Sequence, residues 1–100
     1  MTTPLTLTSG RRPDGRDLLT AAGEIDMTNT AELAAALEAL PGPVTLDLTA
    51  VEYLDSAGLG ILFAHADRLE LLAPDLLLPV LTHSGLAGIA TVRPASASTS

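Results

Sequence analysis

An α/β fold is the class this sequence predicts: a mixed, mostly parallel sheet, opened by an antiparallel hairpin, with helices packed on it. Three observations carry that reading. Two short strand-like runs near the N-terminus flank a polar loop containing Gly and Pro. From residue 18 onward, strand-like segments alternate with helical ones. Hydrophobic residues make up 47% of the 100-residue chain, enough for a single modest core and too many for disorder throughout.

Taken in order, residues 5–8 (LTLT) alternate as a half-buried strand does. Residues 9–17 (SGRRPDGRD) read as a hairpin loop, and 18–26 (LLTAAGEID) as the returning strand. Asn29 then stands as a helix cap, with Glu32 where a capping box places its acid. Leu33, Leu37 and Leu40 form one apolar stripe, and Pro41, Gly42 and Pro43 end the helix. Residues 44–55 (VTLDLTAVEYLD) begin as a strand. A second helix starts near Ser56 and places Leu59, Leu62, Phe63 and Ala66 on one face. Beyond it the residues allow two readings. Either 68–74 is a strand followed by a helix, or the second helix runs on through Leu69 and Leu72 and LLLPVL is the strand. Pro79 suits the interior of neither. The small, polar run from Arg93 reads as a disordered tail, so the domain is expected over 1–92 and the tail over 93–100. No internal repeat is present.

Charge and composition narrow the function. Twelve acidic residues face five basic ones, all of them Arg, for a net charge of −7. Such a chain repels phosphate backbones and anionic bilayers, which argues against nucleic-acid and membrane partners. Without Lys there is neither a Walker-type phosphate loop nor a Schiff base. Without Cys there is no thiol chemistry, which suits a reducing compartment. Twenty leucines against two aromatics, Tyr53 and Phe63, give an aliphatic core and almost no stacking surface. No apolar run reaches the ~18 residues of a membrane span, and MTTPLTLTSGRR has no secretory pattern. A soluble, cytoplasmic domain is the expectation.

The stretch YLDSAGLG, residues 53–60, is where chemistry could reside. Asp26 and Asp55 each follow a predicted strand and so share the carboxyl edge of the sheet, where ligands and partners bind. Ser56 lies there as well. It can be a helix cap, with Asp55 suited to the dipole; a nucleophile; or a residue that another protein modifies. The nucleophile reading fits poorly. Leu54 stands where an α/β-hydrolase elbow needs Gly, and His65 lies too far along its helix to act as base. A dinucleotide loop fails because Phe63 occupies the position of its third glycine. The histidines have no metal-ligand spacing, so no metal site is expected. Gly58 and Gly60 each cost about 1 kcal/mol relative to Ala within a helix. Their presence implies close approach to the backbone by a neighbouring strand or by a partner.

The order GEIDMTNTAEL, VTLDLTAVEYLDSAGLGIL, LELLAPD and HSGLAGIATV resembles the anti-sigma factor antagonist family, with its STAS fold, over residues 5–94. The resemblance implies a STAS-like sheet, a strand over 68–73 and a helix over 75–84. It implies that Ser56 is phosphorylated by an anti-sigma factor that is also a serine kinase. Asp26, Met27, Thr28 and Asn29, together with Asp55, Ser56, Ala57, Gly58 and Leu59, would form the partner surface. A serine phosphatase would reset the switch. The chain itself would be neither an enzyme nor a cofactor carrier, since ATP and Mg²⁺ belong to the kinase. The alternatives are a STAS subunit of a lipid-transport or stress-signalling complex without the switch and, more remotely, a small serine hydrolase. Relative to the family, about eight residues are missing after DSAGLGIL, roughly two helical turns. That shortening is expected to bare a Leu-rich sheet face and so to lower stability or favour self-association.

Overall fold

The computed structural model describes residues 3–95. Its strands are β1 (Thr6–Arg11), β2 (Asp17–Ile25), β3 (Val44–Leu54), β4 (Leu69–Ala73) and β5 (Thr91–Pro94). Its helices are α1 (Thr30–Glu38), α2 (Ser56–Ala64) and α3 (Leu78–His83), with short 3-10 turns at Ala66–Arg68 and Leu86–Gly88. The strands lie side by side in sequence order, β1 antiparallel to β2 and the rest parallel. This is the α/β class the sequence predicts.

The hairpin is tighter than its composition suggests. Ser9, Gly10 and Arg11 pair with Leu19, Leu18 and Asp17, leaving only residues 12–16 as the turn. Gly15 closes that turn at φ 89°, a left-handed conformation that only glycine adopts cheaply. β1 is an edge strand, so polar residues continue it without being buried.

Sequential strand order combined with right-handed crossovers places every helix on the same face of the sheet. Leu19, Ala21 and Ile25 of β2, Leu46 and Leu48 of β3 and Leu71 of β4 point to that face. They are buried with Leu33, Leu37, Leu62 and Leu81 of the helices. Among the described residues no helix covers the other face, and two of its polar residues, Thr45 and Glu70, are nevertheless buried. The hairpin turn supplies their cover. Arg12 Nη1 lies 2.6 Å from Glu70 Oε1 and donates to Thr45 Oγ1 at 3.0 Å. Thr45 Oγ1 donates to the same carboxylate at 3.1 Å, and Arg93 Nε of β5 reaches Glu70 Oε2 at 2.8 Å. A single carboxylate thus ties the turn to β3, β4 and β5.

Expectations about three segments of the chain need correction here. The third helix begins at Leu78 rather than 75, because residues 75–77 form a turn in which Leu77 and Leu78 donate to the Pro74 carbonyl. Pro79 therefore lies in the first helical turn, where its missing N–H costs nothing. Secondly, the shortened second helix leaves no bare leucine face. α2 stops at Ala64, and the turn at 66–68 leads directly into β4. Arg68 then donates to the carbonyls of Leu37, Leu40 and Gly42, closing the C-terminal end of α1. Leu46, Leu48, Leu69 and Leu71 are all buried, so the shortening bares no leucine-rich sheet face. Phe63, placed by periodicity on the inner face of α2, is exposed, while Leu62 and Ala66 are buried. Thirdly, Arg93 and Pro94, assigned to the tail, are residues of β5 paired with Leu72 and Ala73. Ala95 is described as well, and residues 96–100 of the expected tail lie outside the described residues.

Replacing Glu70 tests the carboxylate knot. Removing one partner of a buried ion pair strands the other, and these guanidinium groups are partly solvated. Glu70→Ala is therefore expected to lower the urea-unfolding free energy by about 2–3 kcal/mol, below the full cost for a wholly buried pair. Glu70→Gln, which keeps an acceptor, should lose less.

Candidate functional site

The site is built where β2 and β3 end together. Their parallel ladder runs from Asp17↔Val44 to Ile25↔Leu54, with register shifts between Thr20 and Ala22 and between Gly23 and Glu24. At each shift β3 spends one residue more than β2, the signature of a bulge, and bulges re-aim the residues that follow. Asp47 Oδ1 stabilises the first by accepting from Thr49 N at 2.9 Å and Thr49 Oγ1 at 2.7 Å. Gly23, at φ 100°, lies beside the second, and a side chain there would overlap the Pro4 carbonyl. The ladder closes with Asp55 N donating to Ile25 O at 3.2 Å.

Asp55 is the N-cap of α2. Its Oδ1 accepts from Gly58 N at 3.0 Å, so the cap falls one residue before the serine that composition offers for it. Its Oδ2 accepts from Met27 N at 3.1 Å. One carboxylate therefore joins the start of α2 to the loop after β2. Ser56, the first residue of α2, is exposed.

The β2–α1 loop is held by its own side chains. Asp26 Oδ1 accepts from Thr28 N at 2.9 Å and from Thr28 Oγ1. Asn29 Oδ1 accepts from Asp26 N at 3.0 Å, and Asn29 Nδ2 donates to Glu24 O at 2.8 Å. With both ends of its amide used on the loop, Asn29 makes no side-chain cap on α1 and the expected capping box does not form. Met27 remains outside this web as a side chain, at 76% exposure.

Of the nine residues expected on the partner surface, Met27, Thr28 and Ser56 are exposed. Asp26, Asn29, Asp55, Ala57 and Leu59 are half-buried, and Gly58 is buried. The two glycines divide accordingly. A Cβ on Gly58 would come within 2.6 Å of Leu54 Cδ1 and 2.7 Å of Ile25 Cγ2, so the neighbouring strands account for it. A Cβ on Gly60 would meet nothing within 4 Å. Packing within the chain does not explain that glycine.

His65 follows the last residue of α2, and its Nδ1 lies 3.2 Å from Arg68 Nη2. Among the described residues, no group of three or more His, Cys, Asp or Glu side chains is placed to hold a metal ion. No helix among them is long and apolar enough to cross a membrane. A cavity of about 420 Å³ near Asp14, Arg16, Pro41 and Pro43 lies at the opposite edge of the sheet, away from Ser56.

Comparison with known proteins places this architecture. A family model described as "Mlab, STAS domain" matches residues 9–91. The chain belongs to the STAS-domain family. Among solved structures, an anti-sigma factor antagonist from Mycobacterium paratuberculosis is 27% identical. That match covers 94% of this chain and 91% of the other, with a TM-score of 0.83. The unphosphorylated form of the anti-sigma factor antagonist SpoIIAA shares the fold at 11% identity, TM-score 0.66, over 92% of this chain and 91% of that one. A Shewanella loihica protein described as having a SpoIIAA-like fold shares it at 13% identity, TM-score 0.59, over 93% and 86%. No functionally curated protein matches.

In this STAS domain the site edge is acidic. Glu24, Asp26, Glu32, Glu52 and Asp55 gather at the ends of β2 and β3 and the first turn of α1. The five arginines are elsewhere: Arg11, Arg12 and Arg16 at the hairpin turn, Arg68 below α1, and Arg93 beside Glu70. Thr28, chiefly through its hydroxyl and then its backbone N–H, holds the Asp26 carboxyl below its ordinary value of 3.8. Sequence reasoning placed Asp26, Asp55 and Ser56 together but missed that Asp55 takes the cap and that Asn29 serves the loop. The signal for the first was available, since Asp caps as well as Ser and Gly58 stands at the third helical position where a cap's acceptor reaches.

Two measurements follow from this geometry. Gly60→Ala should raise stability by about 1 kcal/mol. Gly58→Ala should lower it, because overpacking costs about 1–3 kcal/mol against the same helical gain. The Asp26 interaction stabilises the fold above the unfolded carboxyl's pKa and is lost as pH falls through the lower folded value. Thr28→Val, which keeps the N–H donor, should move the Asp26 titration upward in a carboxyl-detected NMR experiment.

Proposed function

We propose that this STAS domain is an anti-sigma factor antagonist whose binding is switched at Ser56. The observation that carries the reading is the placement of that serine. It is an exposed hydroxyl at the first position of α2, one residue beyond a carboxylate that ties the helix to the exposed loop at Met27. The 27% identity to a structure named as an anti-sigma factor antagonist, over nearly the whole chain, supports the same assignment.

In this reading the unmodified edge, Asp26 to Asn29 together with Asp55 to Leu59, binds an anti-sigma factor and so frees a sigma factor. The anti-sigma factor is a serine kinase. It transfers the γ-phosphoryl group of ATP to Ser56 Oγ; the bond to ADP breaks, and the hydroxyl proton passes to a base on the kinase. The product carries about −1.5 to −2 additional charges. A helix N-terminus tolerates an anion, so the fold survives. The edge already holds five carboxylates, and a partner fitted to a neutral hydroxyl then meets bulk and repulsion. A serine phosphatase restores the hydroxyl. The chain acts as a non-enzymatic binding module that works in the cytoplasm.

The family match is to the STAS domain itself, which is equally met by a second reading, a STAS subunit of a lipid-transport or stress-signalling complex in which Ser56 is a contact without a switch. Incubation with the anti-sigma factor kinase and ATP separates the two. The antagonist reading expects one phosphate, mapped to Ser56, and release of the complex. Ser56→Ala should bind and resist release, and Ser56→Asp should bind more weakly by about 1–3 kcal/mol. A phosphate on another residue, or none, would overturn the switch.

A further inference from the structure

Met27 is the most exposed large hydrophobic side chain among the described residues, at 76%, yet the backbone beneath it is fixed. The amide of each residue from Asp26 to Asn29 is donated: Asp26 N to Asn29 Oδ1, Met27 N to Asp55 Oδ2, Thr28 N to Asp26 Oδ1 and Asn29 N to Asp26 O. A mobile loop could fold an apolar side chain away from water; this one has no such freedom. An apolar side chain on a pre-ordered platform loses little entropy when it is buried by a partner, and such residues dominate interface energies. Tyr53, 50% exposed near the end of β3, adds a second apolar body at the same edge. Around them stand Glu24, Asp26, Glu52 and Asp55 with no arginine at that edge.

We infer that Met27 is the affinity anchor of the docking edge, inserting into an apolar pocket of the partner protein whose rim carries Lys or Arg. This rests on the reading that the edge binds an anti-sigma factor, and it adds what neither the Ser56 switch nor the family match supplies. Ser56 sets whether the partner stays, Met27 sets how tightly it is held, and the acidic rim selects a basic complement. Charge steering of this kind speeds association and weakens with salt.

The test uses the full chain and each anti-sigma factor of the source organism, purified singly and titrated calorimetrically. Wild type should bind at least one. Against that protein Met27→Leu should keep its affinity, and Met27→Ala and Met27→Gln should each bind at least about fivefold more weakly. Thermal midpoints should be unchanged, because an exposed side chain contributes little to folding. Raising NaCl from about 50 to about 500 mM should weaken wild-type binding severalfold. If Met27→Ala or Met27→Gln binds within about fivefold of wild type, the anchor is refuted while the docking reading stands. Salt-independent binding refutes the basic rim. If wild type binds no anti-sigma factor, the docking reading itself fails and the anchor falls with it.

Discussion

The parallel pairing of β2 with β3 is the interaction on which the rest of the structure depends. Its last pair, Ile25 with Leu54, delivers Asp26 and Asp55 to adjacent positions on one edge, and Asp55 N then donates back to Ile25 O. From that position a single carboxylate reaches two backbone amides in different segments, Gly58 and Met27. The bulges in β3 matter for the same reason. Without the extra residue at each, the strand would end out of step with β2 and Asp55 would not meet the loop. Gly23 and Gly58 are what this close assembly costs in side chains.

The two faces and two ends of the sheet divide the remaining tasks. The helix-covered face supplies the aliphatic core, built almost wholly of leucine, valine, isoleucine and alanine. The other face is closed locally by Arg12, Arg93 and Thr45 around Glu70. Arginine is thereby engaged in structure, and among the described residues no ion pair reaches the acidic residues at the far edge. The hydrogen bonds that build the site edge run through Asp26, Asn29 and Asp55, and the exposed Ser56 hydroxyl takes part in none of them.

Much of this was legible in the sequence, for identifiable reasons. Alternation and stripe periodicity disclosed the strands and α1, and the position of Asp26 and Asp55 after strands disclosed the edge. Pro79 suits neither a helix starting at 75 nor a strand over LLLPVL, and three residues of turn before Leu78 remove the conflict by placing it in the first helical turn. The shortened α2 looked like a loss of cover. No periodic signal announces that Arg68 would close α1 and let a 3-10 turn lead straight into β4. Nor does composition reveal that Glu70, a charged residue in an otherwise apolar strand, gathers arginines from two distant segments. Those contacts are long-range side-chain geometry, which local pattern cannot encode. Asn29 is the sharper case, since its residue type and spacing fit a capping box while its amide is used on the loop instead.

The most direct measurement is amide hydrogen exchange at Met27 and Gly58, compared between wild type and Asp55→Ala. If the Asp55 carboxylate unites the loop with the helix start, both amides are slowed in wild type and both lose protection together in the variant. The amides of Leu46 and Leu48, deep in the sheet, should keep theirs. A Met27 amide that exchanges freely in wild type, or that stays protected when the carboxylate is removed, would contradict the account.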